Sequence, residues 1–184
     1  MTAILIVLLV AAAWVIMSYN RLVSLVQRAK EALSDITVQQ KRRYDLIPNL
    51  IETVKGYAAH EKTTLENVVA ARNAAMAGGG ASMAQDAANQ NMITSALKSV
   101  FALSEAYPDL KANQNFLSLQ NELTDTEDKI QASRRFYNGN VRDLNTAILA
   151  FPGNIIASIF HFEKMEFYEV PAGDASEQPV AVKF

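Results

Sequence analysis

Three features of the sequence predict an all-α fold: an N-terminal transmembrane helix followed by an antiparallel four-helix bundle with long helices. The first twenty residues carry no charged side chain. From Leu22 onward apolar residues recur three and four apart, which is the repeat of a helix face and not of a strand. The main glycine and proline clusters fall between these stripes, and no segment alternates apolar and polar residues over the length of a strand.

The anchor comes first in chain order. Residues 2–19 would extend about 27 Å as a helix, close to a hydrocarbon core of about 30 Å. A single pass with little tilt is expected. The alanines at 11–13 resemble a signal-peptidase site, but a secretory signal also needs a basic stretch before its apolar core, and none precedes Ala11. A lipoprotein anchor needs a cysteine, and the chain has none. A retained anchor over residues 1–20, in contact with the lipid bilayer, is therefore expected. Arg21, Arg28, Lys30, Lys41, Arg42 and Arg43 follow the span. By the positive-inside rule the remainder lies in the cytoplasm, with a short N-terminus outside.

Composition bounds the remainder. About 150 residues are enough for one domain with its own core. The absence of cysteine removes disulfides, thiolate metal sites and a cysteine nucleophile. The formal charge of −2 hides an asymmetry: residues 21–43 are basic, whereas Glu163, Glu166, Glu169, Asp174 and Glu177 follow Phe162. The basic end sits where anionic headgroups would be.

The first long stripe runs through Leu22, Leu25, Ala29, Ala32, Ile36, Ile47, Leu50, Val54, Ala58, Leu65 and Val68. It turns polar at Gln40 and at Arg43 or Tyr44, and Pro48 removes a backbone donor, so a kink or break is expected near Pro48. Gly56 alone costs only about 1 kcal/mol in a helix interior, so this helix is expected to run unbroken to about Met76. In that arrangement the turn at Pro108 points toward the membrane. A reversal near residues 56–60 would flip every later element and bring the apolar residues 155–162 toward the bilayer. The glycine-rich run 77–81 reads as a loop, and Ser82 with Gln85 forms a capping box. The next helix carries Ile93, Ala96, Leu97, Val100, Leu103 and Tyr107 and stops at Pro108. After Asn113 as N-cap, a stripe through Phe116, Leu119, Leu123, Ile130, Tyr137, Val141, Leu144 and Ile148 predicts a second long helix. Thr124 with Glu127, and Asn138-Gly139, are its weak points. The predicted domains are an anchor over 1–20, a helical bundle over 21–170 and a flexible tail over 171–184.

Chemistry-bearing motifs are sparse. His60 and His161 are the two histidines, and neither sits in a two-histidine zinc motif or a Glu-x-x-His di-iron motif. The glycines at 78–80 lack the lysine and helix context of a phosphate loop. No nucleophile elbow or dinucleotide fingerprint occurs. Glu122, Asp125, Glu127 and Asp128 fall at mixed helical angles and read as a solvated face. Lys41, Arg42, Arg43, Arg134 and Arg135 are weak evidence for nucleic acid on an acidic chain. Arg43 and Arg135 are expected to reach across the bundle or snorkel to its surface. Residues 151–162 are aromatic and branched around much of a helical circumference; burial in the bundle is the ordinary explanation, an oligomer or membrane contact the functional one. No catalytic, cofactor or metal residues are assigned.

The run Tyr19-Asn20-Arg21-Leu22-Val23 is followed by Arg43-Tyr44-Asp45-Leu46-Ile47-Pro48-Asn49-Leu50, which continues to Tyr57. Further along stand Glu105-Ala106-Tyr107-Pro108-Asp109-Leu110, continuing to Phe116, then Arg135-Phe136-Tyr137-Asn138 and finally Phe151-Pro152-Gly153-Asn154. In this order the blocks closely resemble the LemA family of bacterial membrane proteins, over roughly residues 4–170. Leu144 stands where an aromatic residue is common, and His161 where glycine is common. The resemblance implies a single N-terminal span in the bacterial cytoplasmic membrane, a cytoplasmic antiparallel bundle and no established enzyme activity. The expected function is a membrane-anchored scaffold or adaptor that self-associates as a homo-oligomer and presents the bundle to an unidentified protein partner. The alternative is a lipid- or small-ligand-binding module built on Arg42, Arg43 and residues 155–162.

Overall fold

The computed structural model describes residues 1–78 and 82–169; the predicted tail over 171–184 lies outside the described residues. Within them the chain is helical and no strand occurs. Its elements are α1 (Thr2–Lys55), α2 (Lys62–Ala77), α3 (Met83–Ser104), the single turn α4 (Pro108–Lys111), α5 (Gln114–Leu149) and the short α6 (Gly153–Ile159). They form two compact units. One comprises Met1–Val38 and Ile130–Phe167, the other Gln39–Lys129 with Tyr168 and Glu169. Both α1 and α5 contribute residues to each unit.

In the unit holding α2 and α3, the core is built where the stripes meet. Ile47, Leu50 and Val54 of α1, Leu65 and Val68 of α2, and Ile93, Leu97 and Val100 of α3 pack with Leu110, Phe116 and Leu123. The rings of Phe101 and Phe116 meet edge to face with centroids 6.3 Å apart. The predicted caps form in part. The Gln85 amide donates to Ser82 Oγ at 3.3 Å, but the Gln85 side chain turns to Asn89 Oδ1 at 3.1 Å rather than back to the cap. Asn113 accepts from the Phe116 amide at 3.0 Å, as an N-cap does.

Two expectations about continuity are corrected, the break at Pro48 and the run to Met76. α1 passes through Pro48 without a break; the missing donor is one lost bond in a helix that buries Ile47, Leu50 and Ile51 around it. α5 runs through Thr124 and Asn138-Gly139 as the single long helix that its stripe predicted. The helix expected to reach Met76 instead ends at Lys55, and α2 restarts at Lys62. A cost of about 1 kcal/mol for Gly56 does not decide this point, because Leu65 and Val68 each gain about 1.5–3 kcal/mol on burial. A straight helix would carry both away from Ile47 and Leu50, whereas the reversal returns them to the same core. Polar contacts fix the turn: Tyr107 donates to Glu61 Oε1 at 3.0 Å and Asn113 Nδ2 to the Tyr57 hydroxyl at 2.8 Å.

The other unit buries Ala29, Ala32 and Ile36 from α1 and Ile130, Tyr137, Val141 and Leu144 from α5. Leu22 forms a second cluster with Ile156 and Ala157 of α6, flanked by Trp14, Val15, Ala147, Ile148 and Phe162. The chain after α6 lies along α5. Asn145 Nδ2 donates to the Met165 carbonyl while its Oδ1 accepts from the Met165 amide, both at 3.0 Å. Tyr137 donates to the Glu166 carbonyl at 2.8 Å.

Candidate functional site

Two arrangements bear on function: a buried polar layer in the unit of α2 and α3, and the exposed end of the other unit. The layer is centred on Arg43, whose side chain is fully buried. Its position follows from the first stripe, where the helical repeat points residue 43 inward between Ile36 and Ile47. Burial of a guanidinium requires a compensating charge and filled donors. The charge and the two terminal nitrogens are met: Arg43 donates to the Glu127 carboxylate, to Gln90 Oε1 and, at 3.1 Å, to Thr94 Oγ1. Gln90 passes the network on, donating to the Tyr44 hydroxyl and to Asp86 Oδ1. Asp86 Oδ2 then accepts from Gln40 Nε2 at 2.8 Å and from the Tyr168 hydroxyl. Gln40 also donates to the Tyr168 oxygen at 3.1 Å.

α1, α3, α5 and the segment at Tyr168 are thus joined through one chain of hydrogen bonds. Such a layer fixes helix register, because a slip would leave a charge unpaired in the core. Its polar groups bond mainly to each other, and two of them, Thr94 and Glu127, also line a small open cavity of about 190 Å³ with Leu97, Phe101 and Leu123. The open groove of about 670 Å³ between α2 and α3 is lined by small side chains such as Ala70, Ala74, Ala88 and Ser95. Among the described residues no group of three histidines or carboxylates converges to hold a metal.

Asp125 and Asp128 are exposed and Glu122 half-buried, so three of the four clustered carboxylates form the surface face; Glu127 turns inward. The Lys129 ammonium, at 2.8 Å, holds the Asp125 carboxyl below the usual carboxylate range, first through its hydrogen bond, with the positive charges of Lys129 and Arg42 adding to the shift. The hydrogen bond to Glu61 raises the Tyr107 phenol above its ordinary value, with burial and the carboxylate charge adding to it. Arg42 approaches Glu122 at 3.8 Å with both side chains about half exposed, an arrangement of little energetic consequence. Arg134 is buried while Arg135 is exposed: of its two expected placements Arg135 takes the surface one, and α5 turns its neighbour inward. His60 and His161 are exposed and far apart in sequence. Arg42 and Arg43 belong to one unit and residues 155–162 to the other.

Sequence reasoning missed Gln90, Thr126 and Tyr168, all buried. Gln90 lies one turn before Thr94 and Thr126 one residue before Glu127. A polar gap in phase with that at Gln40 and Arg43 was the available signal.

The second arrangement is the end of the unit that contains the apolar part of α1. Ile4, Leu5, Ile6, Val7, Leu8, Leu9 and Val10 are each 60–68% exposed, and this helix is long and apolar enough to cross a membrane. α6 lies against the lower boundary of that stretch. The Tyr19 ring meets Phe160 at 4.8 Å and Phe162 at 5.6 Å, both edge to face. The geometry follows from how α6 ends. The Phe162 amide donates to the Ala157 carbonyl at 2.9 Å and the His161 amide to the Ser158 carbonyl at 3.4 Å, with His161 at φ 55°. This is a Schellman motif, and its left-handed residue explains why glycine suits position 161 better than histidine. Leu149, Phe151, Ile155, Ile159 and Phe160 remain exposed. The end of residues 151–162 that faces α1 is buried, as the ordinary explanation required, whereas its outer face is not.

The LemA family model matches residues 32–184. Magnetosome protein MamQ from Magnetospirillum gryphiswaldense is 26% identical over 184 residues, covering 86% of this chain and 68% of that protein. Magnetosome protein MamQ 2 from Paramagnetospirillum magneticum is 25% identical over 88% of this chain and 69% of its own length. Protein LemA from Metamycoplasma hominis is 29% identical over 80% of this chain and 65% of that protein.

Proposed function

The chain belongs to the LemA family, and from that premise we propose that it is a single-pass, membrane-anchored helical scaffold or adaptor without catalytic activity of its own. It self-associates and presents its helical bundle to partner proteins at the cytoplasmic face of the bacterial inner membrane. One observation carries the reading: the residues at 4–10 are apolar and exposed on every side of α1, a surface that water does not tolerate and a bilayer does. Arg21, Arg28 and Lys30, exposed just beyond it, support the cytoplasmic orientation. The small residues Ala11, Ala12 and Ala13 offer a close-packing face between spans and support self-association. The polar layer around Arg43 supports a structural use of the buried charges. The names of the MamQ relatives attach them to the magnetosome and to no reaction, which agrees with an assembly role here.

The test is the mass of the full-length protein extracted in mild detergent, followed by sedimentation over a range of concentrations. A defined multimer is the expected result. A strict monomer at every concentration overturns self-association.

A further inference from the structure

Beyond anchoring, the same unit contains a basic cleft that the scaffold reading does not use. Trp14, Arg21 and Arg28 stand seven residues apart, on one stripe of α1, with the two arginines about 10.5 Å apart along the axis. Arg142 and Asp143 of α5, with Phe151, line the same cleft of about 780 Å³. Three guanidinium groups therefore share the cleft with a single carboxylate. All three arginines are exposed, and among the described residues none forms a salt bridge. Three positive charges set against one carboxylate favour an anion between them, and the planar guanidinium suits phosphate oxygens.

The apolar walls choose among phosphates. Trp14 lies within the apolar part of α1, and Phe151 is 80% exposed beside the cleft. Ile155 and Ile159 continue that surface along α6. A soluble phosphate satisfies the arginines and leaves these walls wet. A phospholipid satisfies both, with its phosphate on the guanidiniums and its acyl chains along Trp14 and Phe151. We propose that this cleft binds the headgroup of an anionic phospholipid of the cytoplasmic leaflet, with α6 resting at the boundary between headgroups and acyl chains. The site rests on the anchoring reading above, because Arg21 meets headgroups only if α1 crosses the membrane.

Trp14 is the sole tryptophan of the chain, so its fluorescence reports on this cleft alone. The full-length protein is placed in phosphatidylcholine vesicles that contain acyl-brominated phosphatidylglycerol or, in parallel, the same fraction of acyl-brominated phosphatidylcholine. The expected result is an association for the anionic lipid higher by roughly threefold or more, falling as salt rises. Arg28→Gln and Arg142→Gln each bring that ratio toward one, while Lys30→Gln, which removes the same charge from an exposed neighbouring position of α1 outside the cleft, leaves it in place. Equal quenching by the two lipids overturns the site, as does an equal loss in Lys30→Gln. Quenching by neither lipid overturns the anchoring reading itself.

Discussion

The two halves of α1 invert the usual distribution of side chains in opposite directions. At residues 4–10 the apolar side chains are exposed, and at residue 43 an arginine is fully buried. The second half behaves as a core helix whose charge is met from within, by Glu127, Gln90 and Thr94. The first half exposes apolar surface that nothing in its own unit covers. The arginines teach the same lesson: Arg43 is tied to Glu127, Gln90 and Thr94, whereas Arg21, Arg28 and Arg142 line an open cleft. One residue type serves as an internal tie in one unit and as a contact surface in the other.

The contrast is broken most severely at Arg43. Arg43→Ala leaves Glu127 and Gln90 without their partner and should cost about 3–5 kcal/mol, read as a lower denaturation midpoint of the full-length protein in detergent. Arg142→Gln, at an exposed site, should change that midpoint by no more than about 0.5 kcal/mol. Equal losses in both would erase the distinction between the two units.

Smaller effects sharpen the picture at the α5–α6 corner. A Cβ at Gly153 would lie 2.8 Å from the Ala147 carbonyl oxygen, and backbone must shift to admit it. Gly153→Ala should therefore cost about 1–3 kcal/mol and loosen α6 from Leu22, seen as faster hydrogen exchange over residues 153–162. Tyr137→Phe removes the hydrogen bond to the Glu166 carbonyl and should cost about 1 kcal/mol. Burial first, and the Glu166 charge second, raise the Tyr137 phenol above its ordinary 10.0. Its protonated form is thus favoured by folding: the stabilisation is complete below pH 10 and is lost as pH rises past it, since the unfolded chain deprotonates first. Tyr137→Phe should flatten that alkaline loss in a midpoint-against-pH series. The smallest expected change is a gain. His161→Gly relieves a left-handed residue and should stabilise by about 0.5–1 kcal/mol, the relief being partly offset by the greater freedom of glycine in the unfolded chain.

Much of the fold was legible because helical stripes announce themselves. Ile93, Leu97 and Val100, and Phe116, Leu123, Tyr137 and Leu144, are buried on the faces their spacing specified. The reversal after Lys55 was not legible, because its cause is tertiary: a single glycine is a weak local signal, and the burial of Leu65 and Val68 against Ile47 appears only in three dimensions. That misreading had a consequence for the candidate site. With the reversal in place, residues 155–162 come to the boundary end of α1, where Phe160 and Phe162 meet Tyr19. The inward turn of Arg43 was readable from its phase. Its partners were not, since Gln90 and Glu127 lie 47 and 84 residues away, and Arg134 was passed over in favour of its exposed neighbour. The cleft of Arg21, Arg28 and Arg142 needed α1 and α5 to be side by side before it existed at all.

The central claim is that α1 crosses a membrane with the bundle on the cytoplasmic side. The chain has no cysteine of its own, so single cysteines at Thr2→Cys, Ile6→Cys and Lys62→Cys can be probed in intact cells with a membrane-impermeant maleimide. Thr2→Cys should label from outside, Ile6→Cys should not label, and Lys62→Cys should label only after the cells are opened. Labelling of Lys62→Cys in intact cells, or of Ile6→Cys in the membrane-bound protein, would contradict the claim.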